Sequence, residues 1–445
     1  MGKKAVGVIL SLILLASSPI SAYAADGDNT TRSGRNAETG KELKDSFVES
    51  GRLQSLKHLD LDTVLKLALN NSYNLSLLDM KLTALRQNED SLEEQKKGLD
   101  GAVITIPSDR LPATPEEMME AYGIPNDGAV DPASPWLVSD AITNTAVNGA
   151  LDGLAGIAGA LNKQMASQRQ QLELALDQLN TEQSNTLIDM EKAKTGVKLQ
   201  ITSQYVQLLS LNKQTRLTEE YLDIVKADYN KAVTFKEYAM GTEEAVMLAQ
   251  RQVRDQEEQL DTLRDNYQLA LLQLCFDLGL VYDPNITLAD IAYTPKATTR
   301  KNTEDILRSS YDMKQQWNAV VLANTQENHT NAANDHEQDY LYTMVRIANR
   351  QAEQTKVELS KKISATYSGA DTAYKAYQSA EKDLADTEID FNNMQTRFKS
   401  GFVSRYDFDK YGFLLTQQEL ALDLTRLQVF LASEAVAAME KGLIN

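Results

Sequence analysis

The sequence predicts an all-α protein of long antiparallel helical hairpins in a tandem structural repeat, and three observations carry that prediction. Six of the nine prolines fall between Pro107 and Pro135, none lies between Pro135 and Pro284, and none follows Pro295. Proline breaks helix interiors, so the two proline-free tracts are where long helices can run. Within those tracts apolar residues recur every three or four positions, as on one face of a helix. Each tract is interrupted once, at TFKEYAMGTEEAV (234–246) and at RFKSGFVSRYDFDKYG (397–412). Each interruption reads as the point where a long helix folds back on its partner.

Taken in order, residues 1–24 (MGKKAVGVILSLILLASSPISAYA) have the layout of a secretory signal: a basic start, an apolar stretch and a small-residue ending. Removing them with Lys3 and Lys4 would take the net charge from −18 to about −20. So negative a chain is a poor partner for nucleic acid or for anionic lipid surfaces. No later stretch reaches the ~18 uninterrupted apolar residues of a spanning helix. Residues 25–57 are polar and glycine-dotted and read as a flexible leader. The single cysteine, Cys275, lies among Leu274, Phe276 and Leu278 and reads as a buried apolar thiol.

A first helical repeat is expected over 58–280 and a second over 303–445, joined by an extended linker at 281–302. Three ladders mark the long helices: Leu222, Val225, Tyr229 and Ala232; then Val253, Leu260, Leu263, Tyr267, Ala270 and Leu274; then Leu420, Leu424, Leu427, Leu431, Ala435 and Ala438. Such heptad-like stripes describe helices packing in pairs. One helix over 170–236 would be about 100 Å long, and one over 340–399 about 90 Å.

A shift of 163 residues lays Phe235-Lys236 on Phe398-Lys399 and Gly279-Leu280 on Gly442-Leu443. A shift of 242 lays DTVLKLALNNSYNLSLL (62–78) on EDILRSSYDMKQQWNAVV (304–321). The difference means that the first repeat carries an insert, placed at about 98–170, covering the proline cluster and a Gly/Ala-rich stretch. Within it, AVITI (102–106) has β-branched character, and residues 142–162 read as an interfacial helix or a flexible hairpin.

These motifs together resemble the TolC-like outer-membrane efflux protein family. RFKSGFVSRYDF is similar to the family's hairpin tip, FKEYAMGTEEAV is a looser copy, and LALNNSYNLSLL resembles its opening helix. The resemblance implies a homotrimer whose helices form a hollow cylinder. It also implies an outer-membrane location, and tips that dock on a periplasmic adaptor working with an inner-membrane transporter. It places the docking surface at Tyr238, Gly241, Thr242, Gly401 and Ser404, with Tyr238 falling where Gly401 does. It further implies pore-constricting acids at Glu244 and Asp407, the family's second acid falling here on Lys410. The family also has β-barrel strands between the short and long helices; neither half of this chain offers convincing ones, so they are expected to be reduced or absent.

Plainer readings stand beside these. Ser404 and Thr242 suit helix N-caps, Gly401 and Gly241 suit turns that need a positive φ, and Glu244 and Asp407 suit first helical turns, where the dipole favours acids. His329 and His336, with Glu327, Asp335 and Glu337, lack the spacing of a compact zinc site, and no metal or cofactor is expected. No nucleophile elbow or phosphate loop occurs, so nothing points to an enzyme. The alternatives to an exit duct are a secreted α-helical pore-forming toxin, with 142–162 as its tongue, and a structural coiled coil of the envelope.

Overall fold

Helix-breaking residues divide the chain, and the backbone follows them. The computed structural model describes residues 56–100, 103–123, 131–132, 134–330, 332 and 334–445, all within one unit, Leu53–Asn445. The expected signal at 1–24, nearly all of the leader 25–57 and Ala102 of AVITI lie outside the described residues.

The first half runs β1 (His58–Leu59), α1 (Leu61–Asn70), α2 (Tyr73–Asp100), α3 (Pro115–Ala121), α4 (Pro135–Glu237) and α5 (Glu243–Leu278). After β2 (Thr287–Leu288) the second half runs α6 (Thr303–Ser309), α7 (Tyr311–His329), α8 (Asp335–Lys399) and α9 (Arg405–Glu440). β1 and β2 pair in parallel and are the only strands among the described residues. The fold is therefore all-α, with no barrel strands among those residues.

Corresponding caps open the two halves. The Asp60 side chain accepts from Thr63 N at 2.9 Å to start α1, and Asn302 accepts from Glu304 N at 3.0 Å to start α6. Ser310 ends α6 and caps α7, its hydroxyl accepting from Met313 N at 3.3 Å. α5 and α9 are each 36 residues long and begin 162 residues apart. The register along the hairpins is thus 162, which corrects both the 163 that aligns the Phe-Lys pairs by sequence and the 164 that aligns the apolar ladders. It becomes 163 only at the terminal glycines, because α5 ends on left-handed Gly279 whereas α9 keeps Lys441 as its cap before Gly442.

The long helix of the first half begins at Pro135, not near residue 170, and at 103 residues spans about 155 Å. Residues 142–162 are continuous helix within it rather than a hairpin. Glycine weakens a helix interior, yet this stretch has outside support. Residues 103–113 run extended and antiparallel along α4, and side-chain amides hold their backbone. Asn162 bonds both the N–H and the C=O of Ile104 (3.1 and 2.9 Å), and Asn148 does the same for Leu111 (3.0 and 2.8 Å). The strap ends in α3, which carries a capping box between Thr114 and Glu117 and packs Met118 and Met119 on Leu137 and Ala141. In the second half, α7 passes to α8 through residues 330–334 alone.

Two cores form where a short helix meets the middle of a long helix and the far end of the helix returning from the tip, and Leu427 and Phe430 of α9 also enter the first. In the first, Leu59, Val64, Tyr205, Leu271, Cys275, Leu278 and Ile286 pack together, with Cys275 fully buried. In the second, Ile306, Met313, Leu359, Ile363, Val436 and Met439 do so. Tyr205 joins the first core to the linker, its hydroxyl lying 3.0 Å from Leu59 O and 2.6 Å from Ala289 O. Burial pushes that hydroxyl's pKa up to about 12, helped by the nearby charge of Asp60. α4 also binds the two halves together, packing on α2, α5, α7 and α9.

Candidate functional site at the hairpin tips

Both long hairpins reverse by the same construction, a Schellman ending followed at once by a hydroxyl cap. In the first tip, Ala239 N donates to Lys236 O (2.9 Å) and Met240 N to Phe235 O (2.8 Å). In the second, Gly401 N donates to Phe398 O (3.0 Å) and Phe402 N to Arg397 O (2.9 Å). These bonds satisfy carbonyls that a helix end leaves open. Thr242 then accepts from Ala245 N at 3.2 Å, and Ser404 from Asp407 N at 3.1 Å, so both expected caps are present.

Two tip assignments are corrected. The left-handed residue of the first tip is Ala239 (φ 58°), equivalent to Gly401 (φ 78°); Tyr238 is the C-cap and corresponds to Ser400. Gly241 does not have a positive φ. Its requirement is space, since a Cβ there would sit 3.0 Å from Lys236 N and 3.1 Å from Phe235 Cβ. The acids also differ in position. Glu244 is the second residue of α5, while Asp407 is the third of α9, where its carboxylate accepts from Ser404 Oγ at 2.7 Å. Glu244 and Asp407 share no hydrogen bond or ion pair among the described residues, and it is Glu243 that pairs with Lys236.

Lys410 forms a salt bridge to Asp228 on α4 and lies 4.4 Å from the centre of the Tyr406 ring. Lys231 of α4 sits over the same ring at 3.9 Å, and Tyr221 stacks on Phe413 at 5.1 Å. Phe408 closes the second hairpin by stacking on Phe398 and Phe391 at 4.8 and 5.3 Å. These contacts hold the second tip against the long helix of the first half.

Two tip residues escaped the sequence reading. Met240 and Phe402 occupy the same place, just after the left-handed residue, and are 70% and 80% exposed. The signal was available: each stands two residues before a hydroxyl cap, at a site where the Schellman ending usually presents an apolar side chain. Tyr238 projects beside them, 69% exposed. Away from the tips, His329 bonds Asp177 at 2.8 Å, and no metal-ligand cluster occurs among the described residues.

No protein-family model matches the sequence, and no curated protein matches it by sequence. Solved structures do match. The outer membrane protein VceC from Vibrio cholerae aligns with a TM-score of 0.52 at 12% identity, covering 86% of this chain and 97% of its own. The Campylobacter jejuni CmeC outer membrane channel aligns at 0.53 and 11%, covering 94% and 95%. The open state of the Neisseria gonorrhoeae MtrE outer membrane channel aligns at 0.53 and 9%, covering 86% and 89%. The chain has the fold of these channels, a TolC-like α-barrel protomer.

Proposed function

We propose that the protein is the exit duct of an efflux or type I export system. Three copies would surround a water-filled bore in the outer envelope, and the tips would dock on a periplasmic adaptor coupled to an inner-membrane transporter. The observation that carries this reading is an apolar row left open on α5. Leu269, Leu272 and Phe276 are 65%, 48% and 77% exposed on the side away from α4. A hairpin with such a row must bury it laterally, and repetition around an axis does so without leaving an edge.

The duct has no chemistry of its own in this reading, and energy comes from its partners. Met240, Phe402 and Tyr238 are the side chains an adaptor would grip, on tips whose shape is set by Ala239, Gly241, Thr242, Gly401 and Ser404. Apolar and aromatic side chains of this kind dominate docking energetics. Asp407 and Glu244, repeated around the axis, would place carboxylates near the entrance and favour cations. Light scattering of the detergent-solubilised chain tests the assembly: three copies are expected, and a monomer would contradict the duct. In planar bilayers the wild type should select cations, and Asp407→Asn should weaken that selectivity.

A further inference from the structure

The end of α4 remote from the tips carries a surface that the duct reading does not use. Ile142, Val147, Leu154, Ile157 and Leu161 are exposed there at 65%, 39%, 50%, 60% and 41%. Ala146, Gly149, Ala150, Gly153, Gly156 and Ala160 fill the rest of the same half of the helix. No charged or amide side chain interrupts it. The segment's polar side chains are all engaged within the protein. Thr143 bonds Ser139 O, Thr145 bonds Ala141 O, Asn144 bonds Pro112 O, Asn148 holds Leu111, and Asp152 pairs with Arg110 of the strap.

We infer that this half of α4, residues 142–161, is the protein's lipid-contacting surface. Twenty helical residues rise about 30 Å, the thickness of a bilayer's hydrocarbon core. The one acid in the span, Asp152, is turned to the strap side, where it pairs with Arg110, and so stays off the apolar half. An aromatic pair stands just outside one end of the span, Trp136 and Tyr122, 47% and 60% exposed with ring centres 6.3 Å apart. Tryptophan and tyrosine favour the membrane–water boundary. Lys163 lies two residues past the other end.

The opposite half of the helix requires water. The strap bonds to α4 at Ile104, Leu111, Pro112 and Ala113, and its other backbone groups need solvent. One wet side and one apolar side make a wall element, not a free spanning helix; no helix of the described residues is long and apolar enough to cross a membrane alone. This inference rests on the duct reading for its watery side, because irregular backbone at membrane depth must border a lumen. Among the described residues no strands could close a barrel instead.

The test uses the full chain in phosphatidylcholine vesicles. In a Cys275→Ala background, a fluorophore on Leu154→Cys should be quenched when the acyl chains carry bromine, and one on Gln250→Cys of α5 should not. The double variant L154D/I157D should float with vesicles about tenfold less or worse, at unchanged helix content. A label at 154 that bromolipid leaves bright, or a double variant that floats like wild type, would overturn the inference. Disulfide capture between Leu154→Cys residues of two copies, without quenching, would make the face a contact between copies and equally overturn it. Micrographs separate the two readings: rings with a bore alongside an unquenched label would sink the lipid contact alone, and quenching without rings would sink the duct alone.

Discussion

Lys410 Nζ lies 3.0 Å from Asp228 Oδ2, joining the second hairpin to the long helix of the first close to the tips. Both side chains are part-exposed, at 45% and 27%, so water screens the pair. A double-mutant cycle with Lys410→Ala and Asp228→Ala should give a coupling of about 0.5 kcal/mol. It should fade toward zero in ~1 M salt, where screening reaches down to about 3 Å. Coupling that persists in high salt would mean a drier contact than the geometry describes.

The tips differ in one backbone detail with opposite consequences. Ala239 holds φ 58° with a Cβ, so Ala239→Gly should stabilise the first hairpin by about 0.5–1 kcal/mol. Gly401 holds φ 78° in open space, so Gly401→Ala should destabilise by about 1–2 kcal/mol through conformation alone, with Gly401→Val worse. Thermal melts of the three variants decide it, and equal shifts at the two tips would refute the 162 register.

Tyr205 gives a dependence on alkaline pH. Its folded pKa of about 12 lies above tyrosine's ordinary value of 10.0, so the folded chain binds more protons than the unfolded chain between those values. Stability is therefore intact below the unfolded pKa and falls as pH rises toward the folded one. Denaturant midpoints should drop between pH 10 and 12. Tyr205→Phe should flatten that drop while costing about 1–3 kcal/mol at neutral pH, because Leu59 O and Ala289 O lose a buried donor.

Much of the fold was legible from spacing, because proline placement and apolar ladders act locally. The ladder through Leu260 and Leu274 is the buried face of α5, and Thr242 and Ser404 cap the helices that follow them. What stayed hidden depended on contacts distant in sequence. The glycines of 142–162 left helix and hairpin both open, and the amide ladder from Asn148 and Asn162 that braces the helix is made with a strap some 40 to 60 residues earlier. Gly241 was misread because space and positive φ both select glycine; only the backbone shows Ala239 taking the left-handed role. The exposed tip residues Met240 and Phe402 were hidden for a simpler reason: an apolar residue in a turn looks like any other until its exposure is known.

Cryo-microscopy of the full chain in detergent or lipid tests the central claim most directly. Three copies packed side by side through the open row on α5 should appear as a ring with a central bore, the tips gathered at one end. Single, solid particles with no bore would contradict it.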